Sequence, residues 1–434
     1  MRLNKSCHGR QGSNILIAAT ITLMLTLFAP NSYAQYTETI LHGFSGTSDG
    51  GNPWAGVIFD AAGNLYGTTA GGGANQGGTV YELSPSASGW LETILYSFKQ
   101  KSDGGDPLGG LVLDSSGNLY GTAYMGGENK TLNCQPNGCG AIYKLSPVEG
   151  GGWTESVIHT FSTAAGGFGP VSGLTIDTAG NLYGTTIYGG QLYSGDPIGY
   201  GLVYELSPSS AGWKYKILHA FSNGVDGSIP YAGVTLDAAG NLYAAAMFGG
   251  NSRSCSGNSC GTIVKLSPTS SGPWNTSLVH NFVGKDGGNP YGGLAIDAAG
   301  NLYATTENYG AENAGTVVEF SPSGSGWKES LLYTFSGQGT AGIHPQGKLT
   351  TDSGGNVYGT TTSDGGTFDA EGTVFELSPS GSAWNLTVLH SFDPVSEGAY
   401  PISGVILDSS GNLYGTTSSD PSGSGAGNVY ELTP

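Results

Sequence analysis

Basic residues are scarce in this 434-residue chain: 14 Lys and Arg stand against 32 Asp and Glu, and only 11% of residues are charged. A nucleic-acid backbone is bound chiefly through clustered Lys and Arg, so nucleic acid is not expected as a partner. Long apolar runs are missing too. The longest, residues 15–28, falls short of the roughly 20 residues a spanning helix needs, and no membrane span is expected. That run follows Arg2, Lys5 and Arg10 and precedes Ser32-Tyr33-Ala34, the order of a secretory signal peptide. Residues 1–34 are therefore expected to be a cleaved leader, and 35–434 a single domain that is secreted or periplasmic. Cleavage leaves eleven basic residues against 32 acidic ones, a net charge of −21.

Cysteine is sparse as well. Cys7 leaves with the leader, and the other four form two Cys-x₄-Cys pairs, Cys134 with Cys139 and Cys255 with Cys260. In an exported chain these read as disulfides, each worth about 2 kcal/mol because the closed loop is short. Their expected task is to stiffen a loop. The pairs fall two repeats apart, which argues against a shared four-cysteine zinc site.

What is abundant is glycine, 77 residues, together with 24 tyrosines. Such a composition penalises helices and suits short strands joined by tight turns. A motif Gly-Asn-(Leu/Val)-Tyr recurs with its Gly at 63, 117, 180, 240, 300, 355 and 411, spacings of 54 to 63 residues. Three residues before each Gly stands an aspartate: Asp60, Asp114, Asp177, Asp237, Asp297, Asp352 and Asp408. That period signals a propeller or an array. The first unit reads as four strands, A to D, over 56–60, 64–69, 78–84 and 90–98. The chain after the leader opens on a lone D-type strand, 36–44, and the last repeat stops after strand C, at 428–434. One strand, six sets of four and a final three predict an all-β, seven-bladed propeller of four antiparallel strands per blade. The N-terminal strand fills the open place in the C-terminal blade.

The units Asp-x-x-Gly-Asn-Leu-Tyr-Gly-Thr-Thr, Gly-Thr-Val-(Tyr/Phe)-Glu-Leu-Ser-Pro and Asp-Gly-x-x-Pro-x-x-Gly-(Leu/Val) recur in order across residues 36–434. In these the chain resembles the bacterial GloVer tandem-repeat, or "choice-of-anchor", family of exported proteins. The resemblance implies a propeller fold and export, and assigns no chemistry.

Periodicity then sorts the reactive residues. His42, His159, His219, His280 and His390 share one slot in strand D, where the other copies hold Tyr96 and Tyr333, and Trp90, Trp153, Trp213, Trp274, Trp327 and Trp384 open the same strand. A residue repeated in every blade serves the fold, so both sets are read as packing and no catalytic residue is assigned. Function is sought where the repeats disagree. In a four-stranded blade the B–C and D–A loops share one face, and this face carries the variable loops. The D–A loops present Asp49, Asp103, Asp226, Asp286 and Glu397, with Gly166 and Ala341 in the third and sixth copies. They are read either as a ring of carboxylates about the pore mouth, attracting cations, or as turn caps. One or two oxygens per loop fall short of the six to eight ligands calcium takes. No cofactor is expected, calcium being the one alternative these loops leave open.

From the motif Tyr to the Gly of strand C the B–C loops run 12, 20, 18, 18, 12, 14 and 13 residues, longest in blades 2 to 4. Beside them lie Tyr124, Met125, Tyr188, Met247 and Phe248, with Tyr309 in blade 5. Aromatic faces next to acids and amides suit a sugar-binding platform; packing beneath the long loops is the competing reading. The leading expectation is a monomeric, non-enzymatic binding or scaffold protein holding a carbohydrate or an extracellular protein on this face. The alternatives are a polysaccharide lyase or glycoside hydrolase, with Asp103, Glu128, Asp196, Glu307 and His344 as candidates, and a structural envelope or matrix protein.

Overall fold

The computed structural model describes residues 36–434 apart from 128–133, 135–137, 163, 191–197, 253, 256–258, 271, 338–339, 364–371 and 420–425. The expected leader, Glu128 and Asp196 lie outside the described residues. Seven four-stranded antiparallel sheets form, each of consecutive strands except one, in which the N-terminal strand Thr37–Gly43 is the fourth member. It pairs with Asn428–Thr433, from Thr37 opposite Thr433 to Gly43 opposite Asn428. The described residues thus make a seven-bladed propeller with a shared closing blade. Helix is confined among them to one 3₁₀ turn, Ala164–Gly166.

Strand A is shorter than its sequence pattern predicts: in blade 1 only Ile58–Phe59 pairs with strand B (Leu65–Thr69). Its other side faces the central channel, where no partner strand exists. Strand C (Thr79–Ser86) is one residue longer than expected and strand D (Gly89–Ser97) is shifted by one toward it, because the two pair to the tip of their hairpin, Ser86 opposite Gly89. In strand D a bulge falls at Leu95, which turns Leu95 inward to 8% exposure and displaces the next residue toward the neighbouring blade.

The Asp-x-x-Gly-Asn-(Leu/Val)-Tyr motif is a closed hydrogen-bond set. Asp60 accepts from the backbone N–H of Ala62 and Asn64 at 2.8 and 2.9 Å, from Asn64 Nδ2 at 2.8 Å and from Tyr66 Oη at 3.1 Å. The same Asn and Tyr bonds recur at the other six aspartates. The motif Tyr also reaches the next blade, packing edge-on to its strand-D tryptophan: Tyr66 on Trp153, Tyr120 on Trp213, Tyr183 on Trp274 and Tyr243 on Trp327. The threonine two residues after the motif Tyr ties blades near the axis, as Thr68, Thr122 and Thr305 donate to the carbonyls of Gly109, Ser172 and Gly347.

The core lies between blades. One cluster combines Tyr66, Val80, Leu95 and Phe98 of blade 1 with Leu111, Leu119, Tyr143 and Leu145 of blade 2. The disulfides Cys134–Cys139 and Cys255–Cys260 form as expected. All four cysteines are buried within such clusters, so they complete the packing between blades besides closing a loop.

Candidate functional site

The inner strands of all seven blades enclose a central channel with a cavity of about 590 Å³. Each D–A loop reaches it through a residue before Pro that takes the left-handed conformation: Asn52, Asp106, Gly169, Ile229, Asn289, His344 and Tyr400, all with φ between 48° and 69°. Six of these seven carry a side chain, an unfavourable choice for Ile229 above all. The D–A loop then bridges the end of strand B, as Gly105 does with Met125, Phe168 with Tyr188 and Ser228 with Phe248. The two loops therefore share one face, and that face is the channel mouth.

The residue after each Pro forms the rim: Trp54, Leu108, Val171, Tyr231, Tyr291, Gln346 and Ile402. Tyr231 and Tyr291 stack with ring centres 4.3 Å apart and planes 32° off parallel. Tyr124 stands behind them, within electrostatic reach of Tyr231, Tyr188 and Asp106; burial raises its phenol pKa, as it does that of Tyr291, which also feels Tyr231 and Glu307. Tyr188 stacks on Phe168 at 5.0 Å. Beside Tyr291, Gln346 Nε2 donates to Glu307 Oε1 at 3.0 Å, and His344 Nδ1 lies 2.9 Å from the Glu307 carbonyl oxygen. A tyrosine arc over blades 2 to 5 thus ends beside a polar edge on blades 5 and 6.

Of the aromatic residues singled out in the sequence, Tyr124 and Tyr188 join this arc. Met125 and Phe248 sit at the bridges to the D–A loop, the Met247 carbonyl accepts from Asn289 Nδ2 at 3.0 Å, and Tyr309 packs on the core of its blade. Sequence reasoning passed over Trp54, Tyr231, Tyr291 and Gln346. Their signal was the residue after the D–A proline, which differs between blades.

The acidic residues of the D–A loops lie at the outer ends of the D strands, and none lines the channel. Each accepts a backbone N–H there: Asp49 from Ser45, Asp103 from Lys99, Asp226 from Ser222, Asp286 from Val283 and Glu397 from Asp393. Each also meets the histidine or tyrosine of strand D. Tyr96 Oη donates to Asp103 at 3.0 Å; His219, His280 and His390 lie 3.1, 2.8 and 3.0 Å from Asp226, Asp286 and Glu397, and His42 is 3.9 Å from Asp49. The next blade contributes a third member, such as Glu92 at 3.5 Å from His42 or Thr276 at 3.2 Å from His219. Where the acid is replaced by Gly166, Tyr215 takes over, stacking on His159 at 4.1 Å and donating to the Gly166 carbonyl at 2.9 Å. These are latches between blades.

Three latches, Glu38-His390-Glu397, His42-Asp49-Glu92 and His280-Asp286-Glu329, gather donor types that a divalent cation accepts within 4.8 Å. His280 and His390 are already engaged at 2.8 and 3.0 Å by their acids, so we read the set as proton-sharing contacts. Burial, then the nearby carboxylate, raises Glu38 to about 8 and Glu92 and Glu155 to about 7. Burial lowers His42 and His390, and His159 to about 4. The folded chain holds the glutamate protons that the unfolded chain releases near 4.5, so this contribution is lost as pH rises through 7 to 8. The histidine effect runs the other way, with stability gained as pH rises from about 4 to 6.5, and is complete below neutrality. Urea midpoints are therefore expected to fall from pH 6.5 to 8.5, and the Glu38→Gln, Glu92→Gln, Glu155→Gln triple variant to flatten that fall. An unchanged slope in the variant would refute the assignment.

What the fold and rim define is a seven-bladed propeller with an aromatic-rimmed axial pocket. The chain belongs to the Gloeobacter/Verrucomicrobia repeat family, which it matches over residues 26–256 and 236–434. No curated protein matches it. Among solved structures it is similar to a Bacteroides uniformis protein proposed as a 6-phosphogluconolactonase, at 14% identity and TM-score 0.52, covering 82% of this chain and 88% of that one. A Thermus thermophilus protein proposed as a glucose dehydrogenase aligns at 14% identity and TM-score 0.38, over 92% and 99%. At 14% identity the likeness to the Bacteroides protein concerns the fold alone.

Proposed function

We propose that this is an exported, monomeric, non-enzymatic binding protein that holds a saccharide at the mouth of its central channel. The observation that carries this reading is the stacked Tyr231–Tyr291 pair on the rim, with Tyr124 behind it and the Gln346–Glu307 amide-carboxylate pair nearby. Sugar rings present flat C–H faces to aromatic side chains and hydroxyls to amides and carboxylates, and a cavity of about 590 Å³ lies in the size range of small-molecule sites. The two disulfides suit an oxidising compartment, and no helix among the described residues is long and apolar enough to cross a membrane. Glycoside hydrolysis needs two carboxylates roughly 5 to 10 Å apart across a cleft. Asp103 is occupied in a latch, held by Tyr96 and two backbone N–H groups.

Calorimetry of the mature protein against a panel of neutral and acidic oligosaccharides tests the reading. Binding is expected for at least one class, and Tyr231→Ala with Tyr291→Ala is expected to weaken it about 100-fold, roughly 2.7 kcal/mol, since the apolar area two aromatic faces bury is of that order. Silence across the panel, or unchanged binding by the double variant, would remove the proposal. New reducing ends or unsaturated products on incubation would instead make it an enzyme.

A further inference from the structure

Below the rim the channel has a second layer, two residues further along each chain segment that leads into an inner strand. Six blades place glycine there, Gly56, Gly110, Gly173, Gly233, Gly293 and Gly404, and blade 6 places Lys348. A Cβ on Gly173 or Gly233 would stand 2.9 or 2.8 Å from the carbonyl oxygen of Gly110 or Gly173 in the preceding blade, so glycine here lets adjacent blades approach closely. The lysine stem crosses to blade 5, where a Cβ on Gly293 would stand 3.3 to 3.7 Å from its Cδ, Cγ and Cβ atoms. Among the described residues every ion pair involves a histidine, so the ammonium has no carboxylate partner. Protein surrounds the group, which lowers its pKa, yet the side chain is exposed to the solvent of the channel.

An unpaired cation in the waist of a protein of net charge −18 is a specific feature. A glycine there is the repeat's own solution in six blades, so the fold does not need the lysine. Lys348 lies two residues beyond Gln346 on the rim, across a bend at Gly347, so the two are at most about 7 Å apart along the chain, within the span of one sugar ring and its substituent. A pyranose stacked on Tyr231 and Tyr291 would therefore bring a substituent on its far side to the ammonium.

Resting on the saccharide reading above, we propose that the channel selects a sugar bearing one anionic group, a uronate carboxylate or a sugar phosphate, and that Lys348 is the residue that recognises the anion. Calorimetry with trigalacturonate, glucose 6-phosphate and the neutral counterparts galactotriose and glucose separates the parts. Wild type is expected to bind one anionic probe at least tenfold more tightly than its neutral counterpart. Lys348→Met, which keeps the stem, and Lys348→Gly, which restores the glycine ring, are expected to abolish that preference while leaving melting and neutral-sugar binding unchanged. Which anionic probe wins identifies carboxylate or phosphate. Equal binding of charged and neutral sugars by wild type, or a preference that survives both substitutions, overturns the role of Lys348 and leaves the saccharide reading standing. Absence of binding by all four probes and by the wider panel overturns both.

Discussion

A chain lacking residues 36–45 is expected to lose its cooperative unfolding transition, and a synthetic peptide of that sequence added in trans is expected to restore it. The segment supplies the whole fourth strand of the closing blade, paired from Thr37 to Gly43 with Asn428–Thr433. It also carries Leu41 and Phe44, buried to 8% and 3% exposure in a cluster with Val57, Tyr81 and Leu83 of the first blade. Removal of two such side chains costs about 4 to 8 kcal/mol, comparable to the whole stability of an ordinary domain. The damage is not local, because the same strand joins the last blade to the first. With it gone, Asn428–Thr433 becomes an unprotected sheet edge able to pair with other chains. The truncated protein should bind a hydrophobic dye, elute as mixed oligomers and melt over a broad range. A truncated protein that melts sharply as a monomer at the wild-type temperature would show that the ring does not depend on this closure.

The blade count was legible because closure leaves a trace in one dimension: a lone D-type strand at the start and a missing one at the end. The histidines and tryptophans were legible as structural by the same logic. Radial position was not. An Asp seven residues after a strand-D His, as in His42 and Asp49 or His219 and Asp226, gives no hint that both sit at the outer rim, because the loop between strands D and A crosses the full radius of a blade. The carboxylates were therefore open to being placed at the pore, whereas they bond the histidine or tyrosine of the strand D their loop leaves, with the next blade adding a third member. Tyr231, Tyr291 and Lys348 escaped for the opposite reason. Tyr231 and Tyr291 follow a Pro present in every copy, in a slot that varies from blade to blade, and Lys348 stands in a slot that is glycine in the other six copies. Lys348, the single departure from glycine among seven copies, was visible to the filter that isolated the B–C loops.

Gly67→Ala, the addition of one methyl group, is expected to destabilise the protein by about 3 kcal/mol, the upper end of the range for an overpacked core. Strand B carries Gly67 directly opposite Tyr81 on strand C, and a Cβ there would lie 2.2 Å from the Tyr81 hydroxyl oxygen and 2.4 Å from Cζ. Tyr81 is fully buried and cannot yield. The other blades show that the two positions change together: Gly121 faces Tyr143, Gly184 faces Tyr204, Gly359 faces Phe375 and Gly415 faces Tyr430, while Ala244 faces Val264 and Ala304 faces Val318. Large rings demand glycine, and the shorter valine admits alanine. Tyr81→Val alone should also destabilise, since it empties a site packed against Phe44 at 5.0 Å. In the Gly67→Ala background the same change should cost at least 1 kcal/mol less, a coupling within the range of contacting residues. Strict additivity in denaturant-unfolding free energies would show that the pairing is incidental. Tyr81→Phe serves as the control: its hydroxyl has no hydrogen-bond partner and Phe375 fills the equivalent place in blade 6, so its loss should be neutral or stabilising and should leave the Gly67→Ala penalty only partly relieved, because the ring itself remains 2.4 Å from the new methyl.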